Sequence, residues 1–295
     1  MSGRRIGVTG ASGFIGRHLV RRFAADGDTV VAFQRRVPES APVSGVTVRP
    51  FTLPDGFDPA DFAGLDVVVH GALVEHGPGA PDSDAINRAG VERVIAAART
   101  HGARLIYLST MSAHPRAVSH YGRNKLELEG RFDPARDAVL KLGLVLGDGG
   151  LFGSLASLLR DARIVPLPGG GRQPIQVLWM GDLEDAVRHV IDRGVTGTYA
   201  VADPEVRTMR ELDEAICRGL GVTRRFVPVP LGLVEAGAAM LEVLRVPFPI
   251  RRENVLGLRA LRAWDNAADM KALGIDRPVG LDEAVGRLFA AGRRP

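Results

Sequence analysis

Thr9-Gly10-Ala11-Ser12-Gly13-Phe14-Ile15-Gly16 is the stretch whose reading decides the fold. Glycine recurs at every third position, directly after a short apolar run at 4–9 and at the start of a helical pattern at 14–25. Glycine at the first place permits a tight turn, at the second it lets backbone approach a ligand without a Cβ in the way, and at the third it lets helix pack closely on strand. The unbonded N–H groups of a helix start attract an anion. A bare glycine triplet is a weak signal. Here a strand precedes it, a helix follows, and a second strand at 29–33 completes a βαβ unit, so the loop reads as the pyrophosphate cradle of a dinucleotide. Gly10, Ser12, Gly13, Phe14, Ile15 and Gly16 are its expected members.

Outward from this loop, apolar runs at 46–51, 66–70, 104–109 and 138–146 alternate with helical patterns at 84–101 and 120–132. Strands that are apolar throughout and separated by helices imply a parallel sheet covered on both faces. The expected fold is therefore α/β, a doubly wound parallel Rossmann sheet, with ligands at the carboxyl ends of its strands. The rhythm changes after Gly147. Pro166, Pro168 and Gly169-Gly170-Gly171 read as a loop, followed by a strand at 174–179, a helix at 182–193 and a short strand at 198–201. The last ninety residues read as mostly helical, broken at Pro228, Pro230, Pro247 and Pro249. The expected division is a dinucleotide-binding domain over 1–146 plus about 174–201, and a smaller, mostly helical substrate-binding region over 147–173 plus 202–295.

The end of the second strand bears on which dinucleotide is preferred. An acidic residue there accepts from the ribose 2′-OH of NAD, whereas arginine suits the 2′-phosphate of NADP. The sequence runs Phe33-Gln34-Arg35-Arg36, so the acidic place holds Gln34 and two guanidinium groups follow. A carboxylate would repel the phosphate that Arg35 or Arg36 can grip as a fork. NADP(H) is the expected cofactor, with NAD as the alternative.

Tyr121 and Lys125 lie four residues apart, on one face of the 120–132 helix. An isolated tyrosine, with a pKa of about 10, is a poor acid–base near neutrality. A neighbouring ammonium and the positive nicotinamide ring stabilise the phenolate, so the tyrosine can exchange a proton with a substrate oxygen while hydride moves at carbon. The strand before this helix ends Ser109-Thr110-Met111-Ser112, which supplies hydroxyls to orient that oxygen.

With these residues in place the chain resembles the extended short-chain dehydrogenase/reductases, the NAD(P)-dependent epimerase/dehydratase family. The glycine motif, the run Asp66-Val67-Val68-Val69-His70-Gly71-Ala72, Asn87, and Tyr121 with Lys125 match the family pattern. The resemblance implies Thr110, Tyr121 and Lys125 as catalytic residues, with Ser109 and Ser112 as other hydroxyls that could replace Thr110. It also implies that Gly71, Ala72, Asn87, Tyr121 and Lys125 touch the cofactor. Trp179-Met180-Gly181-Asp182-Leu183 and the tail around Leu273-Gly274-Ile275 match more loosely. Three departures stand out. Lys141-Leu142-Gly143 replaces the usual arginine-proline-glycine. Only eleven positions separate Thr110 from Tyr121. Thr52-Leu53 stands where the family has its adenine-side aspartate.

The reaction class narrows on the residues after Thr110. Family dehydratases carry Asp and Glu there, whereas Met111 and Ser112 cannot remove a carbon-bound proton. His114 and His120 are candidate extra acid–bases, read first as loop histidines. The expected function is an NADP(H)-dependent oxidoreductase that reduces a ketone or oxidises the alcohol, on a nucleotide-linked keto-sugar by family analogy. The alternatives are an NAD-using nucleotide-sugar 4-epimerase and, from another class, a cofactor-bound structural or regulatory subunit.

Bulk properties agree. The net charge is +4 and the basic residues are nearly all arginine, scattered among acids, so no nucleic-acid partner is expected. One cysteine, Cys217, excludes an internal disulfide and a cysteine-rich metal site, and no metal is expected. With no signal-peptide core after Met1, a cytoplasmic location is expected. The apolar stretch 231–244 is too short for a bilayer and carries Glu235 and Glu242, so it reads as a buried or interface helix and no membrane partner is expected. The family's dimer helices would be 84–101 and 120–132, which implies a homodimer. Arg172, Arg251 and Arg252 are candidates for a substrate diphosphate, equally readable as solvated surface.

Overall fold

The computed structural model describes residues 3–38, 43–75, 82–243 and 252–291. They form two compact units. One comprises residues 1–110, 124–141 and 183–199; the other comprises 111–123, 142–182 and 200–295. These units place 111–123 and 174–182 with the tail, whereas the sequence reading grouped 1–146 with 174–201.

The first unit carries β1 (Arg5–Thr9), α1 (Phe14–Ala25), β2 (Thr29–Gln34), β3 (Val46–Pro50), β4 (Val67–His70), α2 (Ser83–Thr100), β5 (Arg104–Thr110), most of α3 (His120–Glu129) and β6 (Ala138–Leu142). The chain continues through β7 (Leu144–Leu146), α4 (Gly150–Asp161), β8 (Ile164–Pro168), β9 (Pro174–Ile175), β10 (Val177–Trp179), α5 (Met180–Arg193) and β11 (Gly197–Val201). A seven-stranded sheet has the order β11-β6-β5-β4-β1-β2-β3, and β5, β4, β1, β2 and β3 pair in parallel. The order reverses between β1 and β4, the switch point at which a doubly wound sheet opens a crevice.

The apolar alternation of the strands is a burial pattern. Val68 of β4, Leu105 and Tyr107 of β5, Val31 and Phe33 of β2 and Val91 and Val94 of α2 share one core. Phe33, Phe51, Phe57 and Phe62 pack ring to ring with centroids 4.7–5.8 Å apart. Full burial of such a side chain stabilises by roughly 1.5–3 kcal/mol. An exposed ion pair such as Arg88–Glu127 contributes about 0–1 kcal/mol. The apolar core, not the surface charge, therefore holds this unit.

In the second unit, α6 (Met209–Leu220) packs between α4 and α10 (Leu281–Ala291), burying Leu212, Ala215 and Ile216 against Phe152, Leu159 and Val285. Thr208 and Glu211 cap the α6 N-terminus reciprocally, and Gly221 ends it at φ +70. β12 (Arg207–Thr208), β13 (Arg225–Val229), α7 (Leu231–Val243), α8 (Arg252–Arg259) and α9 (Ala267–Ala272) complete it.

Three local readings need correction. The run at 138–146 is two strands, parted at Gly143, whose N–H donates to the Val201 carbonyl and where a Cβ would meet the Ala202 Cβ at 2.8 Å. The run at 174–179 breaks at Gln176, whose buried amide accepts from Trp264 N–H and donates to Asn266. Pro166 and Pro168 lie in β8, which pairs in parallel with β13, itself containing Pro228. A two-stranded ribbon has free edges, which tolerate a missing donor. The apolar stretch expected at 231–244 is helical over Leu231–Val243, but Leu233 is 65% exposed. Leu244, Pro247, Pro249 and Arg251 lie outside the described residues. Among the described residues no helix is long and apolar enough to cross a membrane.

Candidate active site

At the carboxyl end of β1 the chain turns at Gly10, with φ +71, where a Cβ would stand 3.0 Å from the Ala72 amide. At Gly13 a Cβ would meet the Gly10 carbonyl at 3.1 Å, and at Gly16 it would lie 2.8 Å from the Ala11 Cα. The turn is thus closed against the segment after β4, and α1 is pressed onto the turn. No side chain caps the α1 N-terminus and no acid lies in its first turn. Ser12 and Gly13 are exposed beside it, Phe14 and Ile15 half-buried. This uncapped start beside a Cβ-free turn can hold a diphosphate on its N–H groups.

Thr9 organises the cradle from beneath. Its hydroxyl accepts from the Gly71 and Ala72 N–H groups at 3.2 and 3.3 Å and faces His70 Nδ1 at 2.7 Å. Two donors already point at this oxygen, so its own proton goes to Nδ1. Burial, seconded by the Lys125 charge, pushes the His70 pKa down to about 3, and the ring is neutral near pH 7. The segment after β4 is clamped again by Asn87, whose side chain accepts from Val74 N–H and donates to Val74 C=O, both at 2.8 Å, and donates to Asn124 at 3.3 Å. Asn87, expected against a cofactor, here bonds the Val74 backbone and Asn124.

At the end of β2, Arg35 and Arg36 are exposed, and neither pairs with a carboxylate among the described residues. The Gln34 amide donates to the Arg36 carbonyl at 2.8 Å. Thr52 is exposed in a narrow turn bridged to Gly56, and the half-buried Leu53 side chain packs against Gly90 of α2.

On α3, Tyr121 precedes Lys125 by one turn, with the Tyr121 ring 44% exposed. Ser119 starts the helix by accepting from Gly122 N–H, and the missing Cβ of Gly122 lets the helix approach the Ser112 carbonyl. Lys125 is buried, donates to the Leu108 carbonyl at 2.7 Å and stands 4.5 Å from the centre of the Tyr107 ring. Burial pulls its pKa down to about 7, against the opposing charge of Glu129. Thr110 closes β5. Of the two alternative hydroxyls, Ser109 is buried and donates to Glu129, whereas Ser112 is half-buried in the second unit.

His114 donates through Nε2 to the Ala260 carbonyl and accepts at Nδ1 from Arg116 N–H, which is the work of a loop histidine. Arg172 is exposed, and nothing is described of the Arg251 and Arg252 side chains. Asp182, from the loosely matched motif, accepts from Val279 N–H and so ties α5 to the tail. The sequence reading missed Thr9 and Asn124. Thr9 precedes Gly10 and Asn124 precedes Lys125, and only the tertiary contacts reveal what they do.

A switch-point sheet, a Cβ-free diphosphate cradle and a helical tyrosine–lysine pair define an NAD(P)-dependent short-chain dehydrogenase/reductase of the extended type. A family model, the NAD dependent epimerase/dehydratase family, matches residues 6–136. The dTDP-6-deoxy-L-talose 4-dehydrogenase (NAD(P)(+)) of Kitasatospora kifunensis is 30% identical over 264 residues, which cover 77% of this chain and 82% of that protein. An Arabidopsis thaliana mitochondrial protein, NADH dehydrogenase [ubiquinone] 1 alpha subcomplex subunit 9, is 25% identical over 274 residues, covering 87% of this chain and 68% of that one. The solved UDP-N-acetylglucosamine 4-epimerase of Bacillus cereus shares the fold with a TM-score of 0.74 at 16% identity, over 99% of this chain and 98% of that chain. The chain belongs to the NAD-dependent epimerase/dehydratase family.

Proposed function

We propose that this enzyme is an NADP(H)-dependent ketone reductase, equally the reverse alcohol dehydrogenase, acting on the keto group of a nucleotide-linked sugar. The observation that carries the reading is the Tyr121–Lys125 pair on α3, with Lys125 buried and fixed on the Leu108 carbonyl. When bound, the nicotinamide supplies or accepts the hydride. The Tyr121 hydroxyl gives its proton to the substrate oxygen, and the Lys125 ammonium lowers the cost of the phenolate left behind. Thr110 holds the same oxygen by a hydrogen bond. Met111 and Ser112 offer no group to take a carbon-bound proton, which speaks against dehydration. The sugar substrate is supported by the likeness to the deoxytalose dehydrogenase. The single buried thiol, Cys217, suits a reducing cytoplasm.

The test is to mix purified protein with NADPH and a panel of nucleotide-linked 4-keto-sugars and to follow cofactor oxidation. Oxidation stoichiometric with alcohol formed is the expected result. Isomer formation without net oxidation would replace this reading with the epimerase. Bound cofactor without turnover would replace it with the non-catalytic subunit.

The cofactor preference is tested separately. Among the described residues neither Arg35 nor Arg36 pairs with a carboxylate. A charged hydrogen bond contributes about 1.5–3 kcal/mol, and about 1.4 kcal/mol is tenfold in affinity. Arg35→Ser with Arg36→Ser is expected to weaken NADPH by at least about tenfold and to leave NADH unchanged in titration calorimetry. Tighter binding of NADH than NADPH by the unaltered protein would contradict the preference.

A further inference from the structure

Lys141, the departure from the family's arginine, finds its place in a buried cluster. Its ammonium donates to both carboxylate oxygens of Glu129, at 2.6 and 2.8 Å, with the two side chains only 7% and 12% exposed. The Ser109 hydroxyl donates to the same carboxylate. Glu129 thus ends α3 by tying it to β6 through Lys141 and to β5 through Ser109. It also lies one turn beyond Lys125, on the same face of α3. Ser109 directly follows Leu108, whose carbonyl takes the Lys125 proton donor.

We propose that Glu129, fixed by Lys141 and Ser109, is a positioning residue that keeps Lys125 charged for its service to Tyr121. The inference rests on the reading of Lys125 given above. An ammonium buried on an aromatic ring and one carbonyl has lost most of its water, which favours the neutral amine. The groups that face Lys125 from the packed elements offer little compensation. His70 of β4 is neutral and Tyr107 of β5 presents its ring. Of the two carboxylates on its own helix, Glu127 pairs with Arg88 and Arg131, whereas the field of Glu129 opposes the burial effect. Lys141 sets how much of that field is felt. It holds the carboxylate in place by two hydrogen bonds, and it offsets part of its charge. A mere strut between α3 and β6 would need the ion pair but would not link it to the ionisation of Lys125.

The three lysines of the chain make this measurable in the unliganded protein. Lysine isotope-labelled at the ε carbon gives one resonance each for Lys125, Lys141 and Lys271, titrated by NMR through the neutral and alkaline range. The Lys125 midpoint is expected at about 7. Glu129→Gln is expected to move it down by at least about one pH unit, the effect of losing one nearby opposite charge. Lys141→Met is expected to move it up, because the carboxylate then faces Lys125 uncompensated. Lys141→Arg is expected to restore the original midpoint. An unmoved Lys125 midpoint in Glu129→Gln overturns the proposal. If that variant does not fold, an unmoved or lowered midpoint in Lys141→Met does so. The titration involves no cofactor or substrate, so a failed reductase assay and a failed titration are distinguishable results.

Discussion

Replacing Tyr121 with phenylalanine is expected to lower turnover by about 10²–10⁴-fold, the usual worth of one positioned proton donor, while NADPH binding and thermal stability stay where they were. The hydroxyl is the only group removed. Tyr121 is 44% exposed and lies outside the buried core, and its ring is kept. The loss should fall on kcat, because the proton moves only as the carbonyl oxygen gains charge. Lys125 cannot substitute, since its ammonium is held on the Leu108 carbonyl. Nor can His114, whose two ring nitrogens are both engaged with backbone. Steady-state kinetics beside a melting curve make the check. Full turnover in this variant would remove Tyr121 from the reaction.

The second large effect is expected at the cradle. Gly10→Val places a β-branched side chain at φ +71, with its Cβ 3.0 Å from the Ala72 amide and 3.1 Å from the Gly71 carbonyl carbon. The backbone conformation alone costs about 1–3 kcal/mol, and overpacking adds about as much again. The loop relieves this by moving away from Ala72, which dismantles the turn that presents N–H groups to a phosphate. About 3 kcal/mol withdrawn from binding is a loss of roughly a hundredfold. Calorimetry should show NADPH affinity reduced by at least that factor together with a lower melting temperature. Gly27→Ala is the control. Gly27 also has positive φ but has open space around it, so that variant should be strained and still bind cofactor normally. Unaltered binding in Gly10→Val would contradict the cradle.

What could be read beforehand was local. The helix Phe14–Ala25 was placed to the residue, and β1, β2, β4 and β5 to within one residue at either end, because period and glycine turn are written in adjacent positions. The breaks at Gly143 and Gln176 were hidden, since each is made by a partner far along the chain, the Val201 carbonyl in one case and Trp264 with Asn266 in the other. Proline at 166, 168 and 228 pointed to loops because its missing donor matters in a central strand; a two-stranded ribbon does not need it. The site divides in the same way. Tyr121, Lys125 and the three glycines announce themselves by spacing. Of the hydroxyls at 109, 110 and 112 the resemblance favours Thr110 and leaves the other two as substitutes; only the fold turns Ser109 to Glu129. Lys141 registered as a departure from a pattern; its meaning lies in a carboxylate twelve residues away.

In the proposed reaction a hydride passes between NADP and a carbonyl carbon and the product leaves as an alcohol. The most direct measurement is isotope transfer in a single turnover, with NADPH deuterated at the nicotinamide C4 and a nucleotide-linked 4-keto-sugar, read by mass spectrometry. The expected result is deuterium at the carbinol carbon of the product in amount equal to the NADPH oxidised, lost in Tyr121→Phe. An isomerised sugar with the cofactor returned to its starting oxidation state would contradict the account.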